Sequence, residues 1–116
     1  MKYLCLIYLP ERQLAALSDD EQKALWAECN AYALELSRGR GYLGGEALES
    51  TGAATTLRKR NGAISVTDGP FAETKEQLGG YLLIDAANLD AAIKLAARIP
   101  GARFGSIEVR PVRAHP

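Results

Sequence analysis

Lys2-Tyr3-Leu4-Cys5-Leu6-Ile7-Tyr8-Leu9 has no polar side, and Pro10 closes it. A run this short, made of aromatic, β-branched and aliphatic residues, reads as a β-strand over residues 2–9. Neighbouring side chains of a strand point to opposite faces, so a strand that is apolar throughout is one that must be covered on both sides. Gly79-Gly80-Tyr81-Leu82-Leu83-Ile84 has the same character within a strand expected over 77–86, and it belongs at the centre of the sheet.

Outward from these two strands, the remaining elements follow from caps and periodicity. Ser18-Asp19-Asp20-Glu21 is a capping box, so a helix is expected from about 19 to 38, where Gly39 and Gly41 stop it. Leu25, Cys29, Tyr32 and Leu36 form its apolar stripe, and Trp26 and Tyr32 are read as packing residues. Asn88 caps a second helix with Leu89, Ala92, Ile93, Ala96 and Ala97 on one side, stopped by Pro100-Gly101. Residues 42–48 make a weaker strand whose glycines allow close approach, and Ser106 to Arg110 a final one. Asn61-Gly62, between 55–60 and 63–67, marks a β-hairpin, because both turn residues tolerate positive φ.

Without the hairpin the order is β-α-β-β-α-β, an α+β chain of ferredoxin-like type with an inserted β-hairpin. Two helices cover one face of such a sheet, yet its central strands are apolar on both. A second copy laid sheet to sheet is the simplest cover, which predicts a homodimer. One domain is expected over 1–112, with a frayed tail at 113–116.

Composition narrows the function. Fourteen basic and fourteen acidic residues cancel, so the electrostatic footprint that holds nucleic acid or anionic lipid is missing. The one basic cluster, Arg58-Lys59-Arg60, reads as a solvated strand end. The apolar start is too short for a signal peptide, and no run reaches the length of a membrane span, so a cytoplasmic location is expected. Cys5 and Cys29 lie in apolar elements, away from the single His115, and are expected as reduced thiols; no metal site or cofactor is indicated.

Chemistry, if present, concentrates around Asp68-Gly69-Pro70-Phe71. In the plain structural reading Asp68 closes an Asx turn, Gly69 relieves the crowding before Pro70, Pro70 fixes φ and Phe71 anchors the loop in the core. In the functional reading the same turn holds Asp68, the catalytic candidate, at the mouth of a cleft, with Glu46, Glu73 and Lys75 beside it. Arg110 is expected to pair with Glu46 or Glu108, or to hold an anion.

The stretch Thr67-Asp68-Gly69-Pro70-Phe71-Ala72-Glu73-Thr74-Lys75-Glu76-Gln77-Leu78-Gly79-Gly80-Tyr81 resembles the DGPF-type branch of the YCII-related family. Gly44-Gly45-Glu46-Ala47-Leu48 before it and Gly105-Ser106-Ile107-Glu108-Val109-Arg110-Pro111 after it fit the same pattern. The resemblance implies a dimeric α/β barrel, a bacterial source and a link with extracytoplasmic-function sigma factors. It also implies, for the YCII branch, a His–Asp acid–base pair near the first helix. This chain has Ser18-Asp19-Asp20-Glu21 there and no His, so that dyad is missing from one protomer unless the tail of His115 folds back. Two functions follow. The first is binding or turnover of a small anionic or carbonyl-bearing metabolite between sheet and helices, using Asp68, Glu46, Gly69, Pro70, Phe71, Glu73, Lys75 and Arg110. The second is a non-catalytic regulatory module that engages a protein partner.

Overall fold

Ser18 fixes where the long helix begins. Its hydroxyl accepts from the Glu21 N–H at 3.2 Å, and the Glu21 carboxylate accepts from the Ser18 N–H at 3.1 Å. These bonds satisfy donors that every helix start leaves unpaired. In the computed structural model, which describes residues 1–115, this helix is α2 (Asp19–Ser37). Its stripe of Leu25, Cys29, Tyr32 and Leu36 is the buried or half-buried side, as the spacing requires. Helix α3 (Leu89–Ala96) starts where the Asn88 side chain accepts from the Ala91 N–H at 2.9 Å.

Four antiparallel strands make the main sheet: β1 (Lys2–Leu9), β2 (Tyr42–Ala47), β5 (Gln77–Asp85) and β6 (Ser106–Pro111), in the order β2-β5-β1-β6. Strands β3 (Thr55–Arg60) and β4 (Ala63–Asp68) form a separate two-stranded sheet. Its turn uses Asn61 at φ 51° and Gly62 at φ 78°, as the Asn-Gly pair demands. With the hairpin set aside, the order and connections are those of a ferredoxin-like α+β fold. Both strands without a polar side, β1 and β5, are central.

On the covered face, Tyr3 and Cys5 of β1 and Ile84 of β5 pack with Tyr32 of α2, Ala92 and Ala96 of α3, and Ile99. The Tyr32 hydroxyl donates to the Leu95 carbonyl at 2.6 Å, and the Arg98 guanidinium lies 4.9 Å over its ring. Arg98 also pairs with Glu35, and Arg103 with Glu28, so two ion pairs join α2 to the segment after α3. The alternate residues Leu4, Leu6, Tyr8, Tyr81 and Leu83 point to the other face, which no helix covers, and are half-buried.

Close approach fixes the start of β6. A Cβ on Gly105 would sit 1.9 Å from the carbonyl oxygen of Tyr8. Tyr8 cannot give way, because β1 is held between β5 and β6. Beside Tyr8 the β1–β5 register shifts, so that Ile7 faces Gly80 and Tyr8 faces Leu78.

Several features differ from the sequence-based expectation. Helix α1 (Glu11–Ala15) follows Pro10 directly, where only a strand end is expected. Its five residues are too few to show a period, and its place is set from outside: the Glu11 carboxylate accepts from the Thr51 N–H at 2.9 Å and the Thr51 hydroxyl at 2.7 Å. Thr51–Ala53 and Pro100–Arg103 are short 3₁₀ turns. Phe71 does not anchor its loop in the core of the protomer; it is 75% exposed. Trp26, expected as packing, is 58% exposed. Of the tail expected at 113–116, Pro116 lies outside the described residues.

Candidate functional site

Helix α2 meets the core at buried Tyr32, whose hydroxyl reaches α3, whereas over residues 19–28 only Leu25 is half-buried and the rest are exposed. The space left between α1, α2 and the sheet is a groove of about 640 Å³. Leu25, Trp26 and Cys29 of α2, Leu14 of α1, and Ile7 and Leu82 of the sheet form its apolar walls. Gly79, Gly80 and Gly101 keep its floor low: a Cβ on Gly101 would meet Leu9 at 2.8 Å and Ile7 at 3.3 Å. Polar groups are few, chiefly Gln22, Asn30 and Tyr42.

The charged residues lining the groove are Glu11 and Glu46. Glu11 is engaged with Thr51, and Glu46 sits on edge strand β2 opposite Tyr81. The Cys29 thiol is pushed above its usual range by burial, with the neighbouring Glu28 carboxylate adding and Arg103 opposing. A thiol held protonated is a poor nucleophile at neutral pH. Burial likewise raises the Tyr32 hydroxyl, which keeps it a donor to Leu95.

A second cavity of about 680 Å³ lies between the hairpin base and the uncovered side of the sheet. Tyr8, Leu48, Leu57, Pro70, Phe71 and Leu78 are among its walls. The turn that carries Pro70 is fastened to the hairpin. The Gly69 N–H donates to the Ala54 carbonyl at 2.7 Å, the Thr56 hydroxyl donates to the Gly69 carbonyl at 2.8 Å, and Arg58 donates to the Phe71 carbonyl at 3.1 Å. Gly69 itself adopts φ +103°, open to glycine and strained for other residues.

The expected site residues therefore do not converge in one protomer. Pro70 and Phe71 share the second cavity, and Glu46 borders the first. Asp68 ends β4 opposite Thr55, is solvent-exposed, and lines neither cavity; exposed Glu73 and Lys75 line neither as well. Arg110 pairs with Glu108 on its own strand. Glu46 is out of its reach, because β2 and β6 are opposite edges, three strand spacings or about 14 Å apart. No group of three or more His, Cys, Asp or Glu side chains that could hold a metal ion is found among the described residues.

The groove beside α2 escapes sequence reasoning because its walls come from six elements: α1, α2, β1, β2, β5 and the 3₁₀ turn at Pro100–Arg103. A partial signal exists: Trp26 and Ala33 form a second apolar row beside the Leu25 stripe, and paired glycines occur in both facing strands.

Comparison with known proteins bears on the whole chain. The profile of the YCII-related domain matches residues 1–115. An uncharacterised protein of Rhizobium meliloti (strain 1021) is 43% identical over 115 residues, covering 97% of this chain and 92% of that protein. No helix among the described residues is long and apolar enough to cross a membrane.

Proposed function

Since the chain belongs to the YCII-related family, we propose that it works as a homodimer in which each protomer binds a small, neutral, largely apolar molecule in the groove beside α2. The groove carries this reading. Its volume lies within the range of small-molecule sites, and its apolar walls with a few polar groups are the usual makeup of one. Because its charged lining is acidic, a ligand bearing a hydroxyl or other donor fits better than the anion considered from sequence. Cys29 is held protonated and Asp68 lies outside the groove, so the reading assigns neither a chemical step.

Surface area supports the dimer. The single chain exposes 8469 Å², whereas a compact 12.5 kDa monomer exposes about 6,200 Å². The excess, roughly 2,000 Å² per protomer, is of the size buried in obligate interfaces. The half-buried side of the sheet, centred on Leu4, Leu6 and Leu83, is the natural contact, closing a dimeric α/β barrel.

Trp26 is the only tryptophan and borders the groove, so its emission reports on that site. Titration with a panel of neutral aromatic alcohols and ketones is expected to change Trp26 fluorescence saturably. Ala33→Phe, which fills the groove from α2, is expected to abolish the change while leaving the helical circular dichroism intact. A flat response across the panel, or one that Ala33→Phe leaves unaltered, overturns the binding reading.

A further inference from the structure

The β3–β4 hairpin stands by itself. It pairs with no strand of the main sheet, and Leu57, Ile64 and Val66 are 63%, 62% and 63% exposed. These three share one side of the ribbon, because Leu57 faces Val66 across the ladder and Ile64 is two residues before Val66. An isolated two-stranded ribbon is marginal in water, and an apolar side that wide is not left wet in a stable protein. The ribbon also stretches the protomer. Its radius of gyration is 16.1 Å, against about 13 Å for a compact chain of this length.

We infer that the hairpin is an exchanged arm, whose Leu57–Ile64–Val66 side packs on a second copy of this chain beyond the edge of the sheet-to-sheet contact. The inference rests on the homodimer proposed above and extends it. Three observations favour a second copy as occupant. The hairpin base walls the same cavity as Tyr8 and Leu78, so the arm is continuous with the uncovered side of the sheet. The exposed area in excess of a compact monomer, roughly 2,000 Å² per protomer, is well above the ~800 Å² per partner of a standard interface, so the obligate-sized contact it implies takes in the arm together with the sheet side. Beside Leu57, Ile64 and Val66 the same side of the ribbon carries Lys59 and Asp68, whose charges cancel, while Arg58 and Arg60 lie on the other side, so the contact side has the apolar, charge-balanced makeup of an interface between copies of one chain. Because Arg58 and Thr56 also hold the Asp68–Phe71 turn, a seated arm brings that turn against the partner and completes the walls of the second cavity.

The test is hydrogen exchange of the full chain over a range of protein concentrations, read alongside sedimentation equilibrium. A dimer in which amides of residues 55–68 are protected at high concentration, and lose protection on dilution in step with dissociation, is the expected result. Leu57→Thr/Val66→Thr keeps strand propensity but removes the apolar side. It is expected to strip protection from 55–68 and weaken the dimer by tenfold or more, with the protection of β1 and β5 retained. A dimer whose hairpin exchanges freely at every concentration overturns the arm and leaves the homodimer standing. A monomer at all concentrations overturns both. Hairpin protection independent of concentration assigns the cover to the chain's own segments and overturns the arm.

Discussion

The two faces of the main sheet are built from the same strands and have different fates. On one, Tyr3, Cys5 and Ile84 lie beneath α2 and α3 and are buried to within a few percent. On the other, Leu4, Leu6, Tyr8, Tyr81 and Leu83 are as apolar and only half-buried. The side chains are of one kind, so the difference comes from the number of helices available. Burial within the chain stabilises at any dilution, whereas burial against another molecule depends on its concentration.

Matched substitutions on the two faces separate these cases. Ile84→Ala, on the covered face, is expected to cost about 4 kcal/mol in chemical denaturation at every protein concentration. Leu6→Asp, on the open face, is expected to weaken self-association by about 3 kcal/mol, roughly a hundredfold in Kd by sedimentation equilibrium. If Leu6→Asp proves silent, the two faces are not divided in this way.

Smaller changes probe how α2 is held on the covered side. Tyr32→Phe deletes the donor to the Leu95 carbonyl and is expected to cost about 1.5 kcal/mol. Its denaturation midpoint should move with protein concentration no more than that of the unmodified chain. Ser18→Ala removes half of the capping box, for an expected loss of about 1 kcal/mol and fraying of α2 visible in amide exchange.

The smallest effect is expected from acid. Ser18 holds the Glu21 carboxyl below its usual 4.5, and Arg103 does the same for Glu28. Each is ionised in the folded chain at pH values where the unfolded chain has begun to bind a proton. Their contributions are thus present above pH 4.5 and are lost as the pH falls through the lower folded values. Both are exposed, so the resulting slope in a thermal melt should be shallow and should flatten in high salt.

What the sequence discloses follows the range of the interactions. The capping box, the Asn61-Gly62 turn and the continuous apolar runs act within a few residues, and α2, the hairpin and the two central strands follow from them. Helix α1 is hidden because its position depends on Glu11 meeting Thr51, forty residues away. The Asp68 turn illustrates the same limit. Its residues are right for a turn, yet Ala54 and Thr56 close it, so the direction Asp68 faces is settled by hairpin pairing and not by the turn's own chemistry. For Phe71, the sequence supplies an anchor without saying which surface receives it.

Gly105 carries a practical corollary. Alanine, the smallest change, already sets a methyl 1.9 Å from the Tyr8 oxygen, and the strand that bears Tyr8 is clamped from both edges. In a library with every position randomised, variants at 105 give the score of a chain that cannot assemble its sheet. That score is a built-in zero for the library. Loss of the molecule itself can be read against it, apart from loss of whatever task it performs.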